Sequence, residues 1–328
     1  MTLKELSEQL NVSPSTISRV LNDKPGISSK TREKVLEAVK QTGFSLNYAA
    51  RNLATSEPRF IGIIGRKRGG QQDSIFFHHS MAQFEEYFEH SEYQCVNLSV
   101  YKEEVDFTGT PLSVSDFAGF IVRGQSFPVR TILTLKQTGV PIILLENKLS
   151  ETNLDHVVCE DRQIAFDLTK HLIDRGYKKI VHITGPESWY NNRERIAGYI
   201  DALTQAGLKS EILSMEDTTV DTGSEAFERL QPNKLEHLGI MMVNDAMAIG
   251  FLDTARKRGF LVPSDIGVTG FDDIPWARLA YPPLTTARVF IEQMGKLAAG
   301  RLMQMIEDPD SRPIAIRVPG EIIIREST

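Results

Sequence analysis

Cysteine is scarce in this chain of 328 residues: Cys95 and Cys159 lie far apart and in no CxxC pair. A disulfide framework is therefore not expected, and a reducing compartment, the cytoplasm, is. Long apolar runs are also missing. None approaches the ~20 residues that a bilayer crossing needs, so no membrane partner is expected. The opening stretch MTLKELSEQL has neither a basic leader nor an apolar core, so it does not read as a secretory signal. Seven histidines are scattered, and the adjacent pair His78–His79 lacks a ligand spacing for a helix face; no metal site is expected. No GxGxxG follows the first strand-like run, where GRKRGGQQD has glycines at the wrong spacing. GxxxxGK[ST] and GxSxG are absent too. These absences argue against a bound cofactor and against an enzyme.

Positive charge is short overall, with a formal net charge of -6, but it is unevenly placed. Residues 1–59 hold nine Lys and Arg against six Asp and Glu, a net +3, which leaves -9 for the rest. A basic head on an acidic body is the pattern of a chain that meets phosphate at one end only.

The head contains NVSPSTISRVLND. Ser13 is a good N-cap and Pro14 suits the first helical position. Ile17, Val20 and Leu21 form a narrow apolar stripe, and Ser15, Thr16, Ser18, Arg19 and Asn22 lie off it. Short hydroxyls and amides with one fork-shaped donor suit a phosphate backbone and base edges; a capped surface helix is the plainer reading. Before it, TLKELSEQLNV places Leu3, Leu6 and Leu10 at helical spacing. After it, SSKTREKVLEAVKQTG begins with Ser28 or Ser29 as cap and ends at Gly43. Two short helices joined by a turn, then a third, make a helix-turn-helix head.

From Phe60 on, the runs FIGIIG, YQCVNLSV, FAGFIV, VPIILLE, HVVCE, KIVHITG, LGIMMVN and IGVTGF read as strands. Amphipathic helices such as RQIAFDLTKHLIDRG alternate with them. This βαβ alternation predicts doubly wound parallel sheets, whose ligands sit at the carboxyl ends of strands. Between head and body, SLNYAARNLATSEPR holds a helix too short to be stable alone, or a plain linker.

The segments TLKELSEQLNVSPSTISRVLND, NYAARNLA, GYKKIVHITGPE, RERIAGYIDALTQAGL and VNDAMAIGFLDTARKRGFLVPSDIGVTGFDDIPWARLAYPPLTT occur in this order. Together they resemble the LacI/GalR (lactose-repressor/galactose-repressor) family of bacterial transcriptional regulators across nearly the whole chain. The resemblance implies a helix-turn-helix domain at 1–46, a hinge helix and linker at 47–58, and an effector-binding and dimerisation domain at 59–328. That body would have type 1 periplasmic-binding-protein architecture, with an N-subdomain of about 59–159 and 288–318 and a C-subdomain of about 160–287 and 319–328. The partners implied are a palindromic double-stranded operator, a second copy of the chain and a small effector, a sugar or sugar derivative. A purine or other metabolite acting as co-repressor is the second reading.

The site residues follow from the same source. Pro14, Ser15 and Arg19 are expected to read base edges; Thr16, Ser18, Asn22, Ser28 and Asn47 to hold phosphates. Arg51, Leu53 and Ala54 are expected in the minor groove, Leu53 as an apolar wedge that bends the duplex. Phe76, Glu146, Asp161, Trp189, Arg195, Asn244, Asp245 and Asp272 are expected to meet the effector. Trp189 and its neighbour Tyr190 either stack on a sugar face or are loop aromatics. Arg123, after GFIV, and Thr218 depart from the family's usual residues. The helix SMAQFEEYFEH, with Phe84, Tyr87 and Phe88 in a stripe, is expected to help form the dimer.

Overall fold

The computed structural model describes residues 58–66, 84–89, 91–101, 104–107, 110–125, 127–149, 152–232 and 237–328. In the head it describes Ser7, Leu10, Val12, Ser13, Thr16, Ile17, Val20, Ile27, Ser28, Thr31, Arg32, Lys34, Val35 and Ala38. The chain divides into two compact units, Met1–Pro58 and Arg59–Thr328.

In the first unit Leu10, Ile17, Val20, Val35 and Ala38 form a buried core, with Val12 and Ile27 against it. Helix entry is set by hydroxyls. The Thr16 amide donates to Ser13 Oγ at 3.1 Å, and the Thr31 amide donates to Ser28 Oγ at 3.2 Å. Each such cap is worth about 1 kcal/mol. The turn between the first two helices closes through Val12, whose amide donates to the Ser7 carbonyl and whose carbonyl accepts from Ser7 Oγ. Lys34 Nζ reaches the Leu10 carbonyl at 2.9 Å, tying the third helix to the first.

The second unit begins with strands β1 (Phe60–Arg66), β2 (Gln94–Tyr101), β3 (Glu104–Asp106) and β4 (Phe117–Arg123). Helix α1 (Val129–Gln137) and strands β5 (Ile142–Leu145) and β6 (Asp155–Cys159) follow. The chain then builds α2 (Asp161–Asp174), β7 (Lys179–Thr184), α3 (Tyr190–Ala206), β8 (Glu211–Ser214) and α4 (Val220–Leu230). β9 (Leu238–Met242), α5 (Asp245–Lys257) and β10 (Ile266–Thr269) complete that half. Last come β11 (Thr286–Arg288), α6 (Ile291–Glu307), β12 (Ala315–Val318) and β13 (Glu321–Ile323).

Two sheets result, ordered β12-β6-β5-β4-β1-β2-β3 and β10-β9-β7-β8, with β11 and β13 as a separate ribbon. All pairings in the two sheets are parallel except β2 with β3. The first sheet is covered on both faces, which is why its strands read as near-continuous apolar runs. Ile61, Ile63, Ile121, Ile143 and Leu145 meet Met294, Ala298 and Leu302 of α6. Phe60, Ile64, Phe120, Val122 and Leu144 meet Ile132 and Leu135 of α1 on the other face. Each such side chain contributes about 1.5–3 kcal/mol on burial. In the second half, α2 and α3 touch through Gly198. A Cβ there would lie 2.0 Å from the Arg162 carbonyl oxygen, so only glycine fits.

Phe84 and Phe88 are buried in the first sheet's core, and Tyr87 is the member of that stripe left at the surface.

The chain passes between the two halves three times, after β6, after β11 and after β12. The first and third passages touch where the Glu160 amide donates to the Val318 carbonyl at 3.0 Å. The second and third touch where Arg288 pairs with Glu321.

Candidate functional site

Parallel strands of both halves end near one another, and charged residues follow those ends. Arg123 closes β4, Glu146 follows β5, and Asp161 opens α2 just after β6. Arg195 stands in the second turn of α3, and Asp272 follows β10.

Arg195 is buried, 6% exposed. Its Nε donates to Asp161 Oδ1 at 2.8 Å, and its Nη1 donates to the Val243 carbonyl. Its guanidinium carbon lies 3.5 Å from the centroid of the Phe271 ring, a close cation–π stack. Nη2 points toward Asp272 Oδ1 at 4.0 Å. Burial works against the arginine's charge, but Asp161 and Asp272 outweigh it and its pKa is raised. Asp161 is shifted up because burial exceeds the pull of Arg195.

Asp272 is the exceptional carboxylate. Burial pushes its pKa up to about 7, with Arg195 opposing and Glu146 and Asp161 adding to the rise. Yet 23% of its side chain meets solvent. It lies deep among protein atoms with one side open, as the floor of a cleft does. Among the described residues no hydrogen bond to its carboxylate is found. Its backbone has φ 118°, a conformation that costs a non-glycine residue strain. The neighbours hold it there. The Asp272 amide donates to the Ala287 carbonyl at 2.7 Å. The Asp273 side chain, 2% exposed, is clamped by Arg288 and Arg325.

On the opposite wall, Glu146 takes a left-handed φ of 62° at the end of β5. Arg123 Nε donates to its Oε2 at 3.0 Å, and Arg123 is buried. The arginine that departs from the family pattern thus belongs to the same cluster as Glu146. Nothing in its sequence position beyond the neighbouring register of β4 and β5 announces that.

Asp245, one of the expected effector contacts, faces inward. Asp245 is fully buried; its Oδ2 accepts from the Ile274 amide at 2.9 Å and its Oδ1 from the Thr286 hydroxyl. It sits directly under Gly270, where a Cβ would come within 2.1 Å of Oδ1. Burial, then Asp272, drives its pKa well up. It is a strut beneath the Asp272 turn, because the first residue of a helix directs its side chain back toward the chain that precedes it. Asn244 is the N-cap of α5: Oδ1 accepts from the Met247 amide at 2.9 Å, and Nδ2 donates to the Thr218 carbonyl at 3.0 Å. Both ends of that amide are engaged. Trp189 is half-buried at the N-cap of α3, and Tyr190 is buried as its first residue.

In the head, the hydroxyls of Thr16 and Ser28 are each paired locally, Thr16 with Ser13 at 2.8 Å and Ser28 with Thr31 at 2.7 Å. Pro14, Ser15, Ser18, Arg19, Asn22, Asn47, Arg51, Leu53, Ala54 and Phe76 lie outside the described residues. Sequence reasoning missed Phe271; an aromatic at a buried strand end gives no sign that a guanidinium rests on it.

A capped three-helix head and a two-sheet body with ionisable groups at the strand ends define a two-module protein: a helix-turn-helix domain joined to a ligand-cleft domain. The comparisons agree. Residues 2–47 match the bacterial regulatory proteins, lacI family, and residues 169–328 match the periplasmic binding protein-like domain. The chain is 26% identical over 332 residues to the probable HTH-type transcriptional repressor ExuR of Bacillus subtilis (strain 168), covering 100% of this chain and 98% of that one. It is 27% identical over 333 residues to catabolite control protein A of Priestia megaterium, covering 100% and 99%. The lac repressor dimer bound to operator and the anti-inducer ONPF is similar in fold, with a TM-score of 0.79 at 22% identity, covering 100% and 98%. The chain is thus similar over its whole length to bacterial transcriptional regulators, and its head matches the lacI family.

Proposed function

We propose that this chain is a sequence-specific, DNA-binding transcriptional repressor. It binds a palindromic operator as a dimer and is switched by a small polyhydroxyl effector, a sugar or sugar derivative, held between the two halves of the body. It acts in the cytoplasm and carries out no reaction of its own. The observation that carries this reading is the Asp161–Arg195–Asp272 cluster on a chain that also carries a capped helix-turn-helix head. Asp272 offers a carboxylate without a described donor, and Arg195 is fixed beside it with its charge preserved. Carboxylates accept from paired hydroxyls, and arginine donates to ring or hydroxyl oxygens.

The domains proposed are residues 1–46, 47–58 and 59–328, with Pro14, Ser15 and Arg19 as base readers and Leu53 as the wedge. Glu146, Asp161, Arg195 and Asp272 are the effector contacts that this geometry supports, with Trp189 proposed as the stacking aromatic. Self-association is favoured by the apolar surface around the short helical turn Pro275–Arg278, where Leu279 is 79% exposed and Tyr281 80%.

Effector and operator then change each other's affinity by one shared factor. The test is a thermal-shift panel of sugars, sugar phosphates, nucleosides and purines on the full chain, followed by operator titration with each hit. A saturable upward shift with a neutral sugar, together with weaker operator binding, is expected. A shift with a purine and tighter operator binding would establish the co-repressor reading instead.

A further inference from the structure

Helix α3 carries Arg195, yet it supplies no cap of its own. Its N-cap position is Trp189, whose indole can donate but not accept, and no side-chain cap bond is made there. The first backbone N–H groups of a helix need acceptors from outside it. At Asn191 that acceptor comes from the other half of the body: the Asn191 amide donates to Gln125 Oε1 at 3.1 Å.

Gln125 is well placed for this. It follows Arg123, which holds Glu146, and Gly124, which is pinned to the neighbouring strand end at two points. The Gly124 amide donates to the Leu145 carbonyl at 3.1 Å, and the Gly124 carbonyl accepts from Asn147 Nδ2 at 3.2 Å. Gly124 has φ 99°, which turns the chain sharply and aims the next side chain across to α3. One three-residue turn thus holds the carboxylate of one wall and caps the arginine helix of the other.

We propose that Gln125 is a positioning residue: its carboxamide caps, across the cleft, the helix that carries Arg195, and it latches the two halves together. Opening the cleft strips α3 of an acceptor at its first turn. Loss of one helix cap shifts a two-state equilibrium about fivefold. The latch makes the closed form self-consistent before any effector arrives, and it couples the separation of the halves to the order of the turn leading to Arg195. Its consequence for effector binding rests on the cleft reading given above. The test itself uses the effector-free protein, so the latch can fail while the cleft still binds ligand, and the reverse.

The experiment is hydrogen exchange of the full chain, followed in the peptide covering 189–195, together with acrylamide quenching of Trp189 in a Trp276→Phe background. Gln125→Ala is expected to speed exchange in that peptide about fivefold and to expose Trp189, with exchange in α4 and α5 unchanged. Gln125→Glu keeps the acceptor and its reach, and is expected to restore protection. Gln125→Asn is one methylene shorter and is not. This split by reach is a signature that general loosening of the loop would not give. If Gln125→Ala leaves exchange at 189–195 and Trp189 quenching as in the parent protein, the latch is overturned.

Discussion

Arg195 lies over Phe271, its guanidinium carbon 3.5 Å from the ring centroid, and Phe271 is fully buried directly before the strained Asp272. The ring fixes the guanidinium plane from below while Asp161 fixes its edge at 2.8 Å. The remaining nitrogen, Nη2, is directed toward Asp272. The arginine is therefore oriented before any ligand enters, which lowers the ordering cost of binding.

That arrangement sets the first prediction. Arg195→Ala leaves the Asp161 carboxylate buried and uncompensated, and stability of the body is expected to fall by about 3–5 kcal/mol. Replacing both partners, Asp161→Asn with Arg195→Met, is expected to recover more than half of that loss. Denaturant unfolding of the single and double variants checks it; equal losses in both would show that the pair is not a coupled unit.

A second prediction concerns pH. The folded pKa of Asp272 is raised to about 7, above its ordinary value, chiefly by burial. Between pH ~4 and ~7 the folded state then holds a proton that the unfolded state has released, so this group's contribution to stability declines as pH rises through that window. The full displacement corresponds to about 4 kcal/mol. Solvent reaching the side chain reduces it, and Asp272→Asn is expected to gain on the order of 1–2 kcal/mol at pH 8. It should flatten the fall in melting temperature between pH 5 and 8. Parallel curves for the two proteins would contradict the assignment.

On DNA, Arg19→Ala is expected to relax base choice at one position of each half-site, a loss of about 1–3 kcal/mol of discrimination. Binding to a panel of single-base operator variants reads this directly, and a uniform weakening across the panel would make Arg19 a phosphate contact. Leu53→Ala is expected to weaken operator binding while effector binding stays unchanged, because a lost wedge costs the bend and leaves the cleft alone.

The fourth prediction is about assembly. Leu279→Asp with Tyr281→Asp is expected to shift the protein toward monomer in sedimentation experiments at micromolar concentration, without lowering the stability of the isolated subunit. An unchanged dimer would move the interface elsewhere on the surface.

The eight apolar runs read as strands are all strands in the structure, because a strand buried on both faces needs little beyond its own hydrophobicity to be seen. The ribbon of β11 (TAR) and β13 (EII) was not legible: three residues without an apolar pattern become a pair only through partners some thirty positions away. The same limit explains the site. Asp161 and Arg195 each follow from a local motif and its family resemblance. Asp245 has an identical local appearance, a carboxylate after an apolar strand, yet it turns inward because Thr286 and the Ile274 amide receive it. Which carboxylate faces solvent is decided by residues arriving later in the chain.

Those late arrivals bear on biosynthesis. The sheet of the first half lacks its edge strand β12 and its covering helix α6 until residues 291–318 are made. The second half waits longer: β11 pairs with β13, and the Val268 amide donates to the Ser327 carbonyl at 2.8 Å. A nascent chain that has emerged only as far as β10 has written every strand of the second sheet and all but β12 of the first, without the late segments that cover them. Its apolar strand faces must then be shielded by something other than their final partners, while the head, a compact unit of its own, is free to fold early. During translation, the head of such a regulator is complete well before the body that follows it.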